Sequence, residues 1–291
     1  MLSVSGQQLR QWQQAAQQQA VAADIPPAEV DWLLQELMGL DRLCLRLGAF
    51  PEAIESPLTI TELDQMWQRR VVDRVPVQYL VQAAPWRQFR LRVSPAVLIP
   101  RPETELLIDL AIAAAESANL TVGHWADLGT GSGAIAIGLA VALPAATIHA
   151  VDLSAEALAI AQSNASALQL SHLQFHHGRW FEPLELWRGH LSAMVSNPPY
   201  IPTAMLSELQ PEVRQHEPKL ALDGGADGLD CIRHLVAMAP TYLRSGGLWL
   251  SEMMAGQAES VQALLQQHNY QQIQIHPDLA GIDRFALAYC P

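Results

Sequence analysis

The chain has 291 residues, half of them hydrophobic and 16% charged, and its 29 acidic against 17 basic side chains give a net charge of −12. That length suits two domains of roughly 100–200 residues each, and the acidic balance counts against a broad phosphate-binding surface, so no direct nucleic-acid partner is expected. Cys44, Cys231 and Cys290 lie far apart without Cys-x-x-Cys spacing, and the most apolar run, 134–143, stops at Pro144, which argues against a disulfide framework, a zinc site and a membrane helix of ~20 residues.

Up to about Ala84 the pattern is helical: Leu9, Trp12 and Ala16 share one face, and Val30, Leu33, Leu34, Leu37 and Met38 follow at three-and-four spacing. Gln7 to Gln19 is rich in glutamine but keeps that stripe, which predicts a helix with a solvated face. A third helix is expected to start near Thr61, with Asp64 three residues on, and to run to Val72. The region 1–84 therefore reads as a small helical bundle.

Over 85–102 the period changes to two, with Phe89, Leu91 and Val93 alternating against Gln88, Arg90 and Arg92, so a β-hairpin linker is expected. Arg87, Arg90, Arg92 and Arg101 precede the first acid of the next segment, Glu103. They read as a solvated strand face or as a docking patch for an acidic partner.

From 103 to 291 strands and helices alternate, the pattern of a mostly parallel, Rossmann-like α/β sheet covered on both faces. Strands are expected near 125–128, 147–151, 173–176, 194–196, 248–251, 271–275 and 285–289. The short connection between the last two predicts an antiparallel hairpin at the sheet edge.

The first of these strands runs into Gly129, Thr130, Gly131, Ser132 and Gly133 before a helix, where absent side chains let backbone N–H groups approach a ligand. Gly129, Gly131 and Ala134 also satisfy a dinucleotide fingerprint, and Asp152 ends the next strand where an acid holds a ribose. Two features favour S-adenosyl-L-methionine over NAD. Asp127, just before the glycines, suits an ammonium and a sulfonium and repels a pyrophosphate. The second feature is Asn197, Pro198, Pro199 and Tyr200 after the fourth strand.

Ligands of parallel sheets bind beyond the carboxyl ends of the strands, which puts Asn197 near the glycine loop. A planar amide or amino nitrogen is a poor nucleophile and needs orientation more than deprotonation. The Asn197 side-chain oxygen and the Pro198 carbonyl are acceptors that hold its two N–H groups, Pro199 stiffens the loop, and Tyr200 offers a face for stacking. These residues alone leave an exocyclic adenine nitrogen and an amide nitrogen equally open as targets.

Four segments together resemble the bacterial peptide chain release factor N5-glutamine methyltransferases: Ile99-Pro-Arg-Pro-Glu-Thr-Glu105, Asp127-Leu-Gly-Thr-Gly-Ser-Gly133, Val195-Ser-Asn-Pro-Pro-Tyr-Ile201 and Glu217-Pro-Lys-Leu-Ala-Leu-Asp-Gly-Gly225. The resemblance covers roughly 76–291. It implies a class I S-adenosylmethionine-dependent methyltransferase domain over 103–291, a hairpin linker, and an N-terminal domain that helps hold a release factor. It further implies methylation of the glutamine in the Gly-Gly-Gln motif of that factor. Gly129 to Gly133, Asp152, Trp180 and Asn197 would bind the cofactor, and Asn197, Pro198, Pro199 and Tyr200 the glutamine. The family usually carries an aspartate before Trp180, where this chain has Arg179.

Among the other polar residues, His176 and His177 point to opposite faces of a strand, so no metal site is expected there. Glu103 and Glu105 suit either closure over the cofactor or the start of a helix. Glu252, after the fifth strand, is a lone acid near the ligand edge. The reading is of a soluble, cytoplasmic, monomeric enzyme, with a nucleic-acid adenine-N6 methyltransferase and a non-catalytic cofactor-binding module as alternatives.

Overall fold

The computed structural model describes residues 2–291. The chain divides into two compact units, the first taking in the chain up to Ala83 together with Pro211–His216, the second Ala84–Gln210 and Glu217–Pro291. The first unit begins with β1 (Leu2–Ser5), α1 (Gly6–Ala22), α2 (Ala28–Met38), α3 (Arg42–Leu47), β2 (Ala53–Ser56), α4 (Ile60–Val71) and α5 (Val77–Val81). The expected stripe is its core: Leu9, Trp12, Ala16 and Ala20 pack with Val30, Leu33 and Leu34 and with Leu63 and Trp67. Each fully buried Val or Leu among them contributes roughly 1.5–3 kcal/mol. Gln13 is buried as well, its amide donating to Asp31 Oδ1 at 2.6 Å and to the Leu45 carbonyl at 3.3 Å.

Two local expectations need correction. α4 is capped by Thr59, not Thr61, because Thr59 and Glu62 form a complete capping box that Thr61 with Asp64 does not. The antiparallel pair β1–β2, four residues per strand, was not anticipated. Strands so short carry little alternation to detect.

The boundary falls after the first residue of β3 (Ala83–Trp86), which with β4 (Phe89–Arg92) forms the hairpin. Then come α6 (Leu106–Ser117), β5 (Gly123–Leu128), α7 (Ala134–Ala142), β6 (Ala146–Asp152), α8 (Ala155–Ala167), β7 (Leu173–His177) and β8 (Leu191–Ser196). α9 (Pro211–His216) clusters with the first unit, after which α10 (Asp230–Tyr242), β9 (Leu243–Glu252), α11 (Ala258–Gln267), β10 (Gln271–Pro277) and β11 (Asp283–Tyr289) complete the chain. The sheet has seven strands in the order β10-β11-β9-β8-β5-β6-β7. β7, β6, β5, β8 and β9 are parallel, and β11 and β10 run antiparallel at one end. Both the seven expected strands and the edge hairpin are present.

Alternation along the strands sends side chains into two cores. Trp125, Ile148 and Leu250 face α6, α7 and α8, whereas Ala126, Val151 and Trp249 face α10 and α11. From β5 the chain winds one way to β6 and β7, and from β8 the other way to β9. The crevice at that switch point lies at the strands' carboxyl ends, where the glycine loop and Asn197 emerge.

Within the first unit, Arg70 is buried and bridges Glu29 at 2.6 Å and Glu212 of α9 at 2.8 Å, and Arg74 reaches the same Glu212 oxygen at 2.6 Å. A buried guanidinium is tolerated because carboxylates compensate its lost hydration. In the second unit Arg87 meets Asp109 at 2.9 Å. Arg101 Nη2 contacts both oxygens of buried Glu217, at 2.7 and 2.9 Å. Two of the four linker-region arginines are thus held by carboxylates of their own chain, while Arg90 and Arg92 lie on the exposed face of β4, so the solvated-face reading fits those two and not the whole set.

His124, His149 and His176 form a ladder across β5, β6 and β7, with ring nitrogens 3.0 Å apart at both steps and Trp187 against all three rings. His176 is therefore more than an ordinary polar residue, while exposed His177 contacts the Leu153 carbonyl. Among the described residues no group of three His, Cys, Asp or Glu is arranged for a metal. Burial, then the flanking His176 and His124, push the pKa of His149 from 6.5 down to about 3. Above 6.5 the ring is neutral folded or unfolded. Between 6.5 and about 3 only the unfolded chain binds the proton, so stability is lost as pH falls, by up to ~1.4 kcal/mol per pH unit. Denaturant unfolding at about pH 7.5 and about pH 5.5 is expected to show a flatter dependence for His149→Asn than for the parent chain. An identical slope would rule the ladder out as its source.

Candidate active site

The loop after β5 is built for close approach. Gly131 has φ 54° and Gly133 φ 84°, values that side chains with a Cβ rarely adopt. A Cβ on Gly131 would meet nothing within 4 Å, so that position is open. Gly133 plays a different part from the one expected. It does not line the cleft, and a Cβ there would lie 3.1 Å from that of Ala161, so its bareness lets α7 and α8 pack closely. The cleft, about 540 Å³, is lined by Gly129, Thr130, Gly131, Ser132, Asp152, Trp180, Asn197 and Pro199, among others.

Two carboxylates brace this loop. Asp152 Oδ2 accepts from the Gly131 N–H at 2.8 Å and Oδ1 from the Ser154 N–H at 2.8 Å. Burial raises its pKa, and the backbone donors and His177 act in the other direction. Asp127 is not on the cleft surface as the sequence suggested. It is fully buried, and its Oδ2 accepts from the Thr130 hydroxyl at 2.5 Å and from the Ala136 N–H at 3.0 Å, tying the loop to the start of α7. Burial pushes its pKa up to about 7, and its other oxygen has no hydrogen-bond partner in the protein. An unpartnered buried carboxylate oxygen favours a cationic ligand over a pyrophosphate nearby.

Trp180 adopts φ 53° and lies over the glycine loop, its ring 3.5 Å from where a Cβ on Gly129 would sit. Exposed Arg179 lines the cleft beside it, where the resemblance would place an aspartate.

Asn197 leaves the end of β8 half-buried, followed by buried Pro198 and half-buried Pro199 and Tyr200. Pro198 and Tyr200 do not line the cofactor cleft. The Asn197 amide donates through Nδ2 to Thr104 Oγ1 at 3.1 Å, the Thr104 hydroxyl donates to Glu252 Oε2 at 2.7 Å, and the Tyr200 hydroxyl donates to Glu252 Oε1 at 2.9 Å. Burial raises the pKa of Glu252 and, together with the Glu252 charge, that of Tyr200, whose phenol stays protonated. Buried Gln257 donates to the Tyr200 carbonyl at 3.1 Å and so holds the loop's exit.

Thr104 and Glu252 are the members sequence reasoning undervalued. Between Glu103 and Glu105 it is the intervening threonine that reaches the site. Glu103 is exposed, and Glu105 accepts from the Arg87 N–H at 2.8 Å. The available signal was Glu252's place at the carboxyl end of a parallel strand, where ligand-site residues collect.

Sheet order, glycine loop and Asn-Pro-Pro-Tyr turn define a methyltransferase that uses S-adenosylmethionine. A methyltransferase small domain model matches residues 104–209, and a PrmC N-terminal domain model matches 9–81. Release factor glutamine methyltransferases of Synechocystis sp. and Thermosynechococcus vestitus are 51% and 47% identical. The matches cover 98% and 99% of this chain and 97% and 100% of those proteins. The chain belongs to the release factor glutamine methyltransferase family. Its fold is shared by the hMettl16 catalytic domain, at TM-score 0.55 and 14% identity over 69% of this chain and 74% of that one. It is shared too by the Thermus thermophilus 16S rRNA methyltransferase RsmC, at 0.51 and 20% over 72% and 50%.

Proposed function

We infer that this chain methylates the side-chain amide nitrogen, N5, of the glutamine in the Gly-Gly-Gln motif of peptide chain release factors, using S-adenosyl-L-methionine. The observation that carries the reading at the site is the Asn197 amide, whose Nδ2 is spent on Thr104, so that Oδ1 is the end left to accept a substrate N–H. The residues present fit the cofactor. The open cradle at Gly131, Asp152 with acceptor capacity beyond its bonds to the Gly131 and Ser154 N–H groups, and the Trp180 ring over the loop suit a nucleoside.

When bound, S-adenosylmethionine supplies an electrophilic methyl group. Asn197 Oδ1 and the Pro198 carbonyl hold the two N–H groups of the glutamine amide, which turns its nitrogen towards that methyl. As positive charge grows on the nitrogen, the two fixed acceptors bind it more strongly than they bound the neutral amide. Tyr200 stacks on the planar amide, Pro199 limits the loop's movement, and one N–H proton leaves to solvent after transfer.

The helical unit over 1–84 is assigned to docking the release factor, supported by its match to the PrmC N-terminal domain. The enzyme is taken to be a cytoplasmic monomer without a direct nucleic-acid partner. The net charge of −12 supports the last of these, and among the described residues no helix is long and apolar enough to cross a membrane. Methyl transfer from labelled cofactor is expected to mark a release factor and to leave its Gly-Gly-Gln to Gly-Gly-Ala variant unmarked. Equal labelling of the two would overturn the glutamine assignment.

A further inference from the structure

We propose that Thr104 and Glu252 are positioning residues that decide which end of the Asn197 amide faces the substrate. The inference rests on the methyltransferase reading above and adds the origin of the acceptor that reading requires. An asparagine amide is nearly symmetric in shape, with an acceptor at one end and donors at the other, and only its hydrogen-bond partners choose between the two orientations. Here the choice comes from a relay. Glu252 offers two carboxylate oxygens, and each faces a hydroxyl, Thr104 at 2.7 Å and Tyr200 at 2.9 Å.

A hydroxyl has a single proton. With its proton spent on Glu252, the Thr104 oxygen presents lone pairs to Asn197, which lies 3.1 Å away. Only the NH₂ end of the amide can meet them, so the Oδ1 end is turned outward. Reversing Asn197 would set Oδ1 against the Thr104 lone pairs and offer N–H donors to a substrate nitrogen that itself carries N–H groups. The second Glu252 oxygen fixes Tyr200 in the same way, so one buried carboxylate registers both ends of the tetrapeptide. Thr104 and Glu252 are 4% and 2% exposed, which keeps water from substituting for either partner. Three distant segments meet here: the short turn just before α6, the turn after β8 and the end of β9.

The test compares Thr104→Val, Thr104→Ser, Asn197→Ala and the Thr104→Val/Asn197→Ala double variant in the full-length chain. Turnover on a release factor, cofactor Kd by calorimetry and the thermal midpoint are measured for each. Thr104→Val is expected to lower kcat roughly 10- to 100-fold, the cost of a misplaced reacting group, with cofactor Kd nearly unchanged. Thr104→Ser, which keeps the hydroxyl, recovers most of that loss. In the Asn197→Ala background Thr104→Val has no further effect, because the amide it orients is gone.

The proposal is overturned if Thr104→Val turns over like the parent, if Thr104→Ser is as impaired as Thr104→Val, or if the valine costs the same in both backgrounds. Should Thr104→Val fail to fold, Thr104→Ala removes the same hydroxyl and stands in its place. Full turnover by Asn197→Ala would instead sink the reading of the site itself. Loss in Asn197→Ala with none in Thr104→Val sinks this proposal alone.

Discussion

Asn197→Ala is expected to lower turnover on a release factor by roughly 10²- to 10³-fold, the usual consequence of losing one preorganised transition-state hydrogen-bonding group. The side chain follows the carboxyl end of β8 and donates a hydrogen bond to Thr104, so its removal takes little from the fold. The loss is expected in kcat more than in KM. A neutral amide in the ground state gains little from a fixed carbonyl acceptor, whereas the nitrogen that accepts a methyl group becomes cationic and gains more. Asn197→Asp separates charge from orientation, since it keeps acceptors and loses the donor to Thr104. Steady-state kinetics with labelled cofactor read kcat and KM for both variants, and unchanged kcat would remove Asn197 from the chemistry.

The fold was legible in the sequence wherever periodicity ran long. Seven strands, their hairpin end and the helical stripe of α1 and α2 follow from alternation and three-and-four spacing. What escaped was short or depended on distant partners. β1 and β2 are four residues each, and α9 is a six-residue helix whose place in the first unit rests on ion pairs between Glu212 and Arg70 and Arg74. The site divides the same way. Gly129, Gly131, Asp152 and Asn197 sit in contiguous motifs, and all four line the cleft. The Thr104–Glu252 link spans 148 positions, and nothing local announces it. Asp127 shows how a motif residue can be recognised and its task misjudged. One of its oxygens is taken by Thr130 and the first turn of α7, a demand visible only once the loop is folded.

Asp152→Ala is expected to weaken S-adenosylmethionine binding by roughly 10- to 100-fold, because hydrogen bonds to a charged group contribute about 1.5–3 kcal/mol. Two effects combine. The Gly131 N–H and Ser154 N–H lose the acceptors that hold them at 2.8 Å, so the loop is less well set for a ligand. A carboxylate also has about four lone-pair sites, and those not taken by backbone are available to a ribose. Asp152→Asn should fall between, since its single carbonyl oxygen can replace one of the two oxygens while its NH₂ opposes a backbone donor. The contrast with Asn197 makes the pair decisive. At saturating cofactor Asp152→Ala should regain most of its kcat, whereas Asn197→Ala should not. Isothermal titration with S-adenosylmethionine beside kinetics at high cofactor measures the split. Parent-like affinity in Asp152→Ala, or a kcat loss that saturation leaves in place, would reassign Asp152 from cofactor binding to the support of the loop alone.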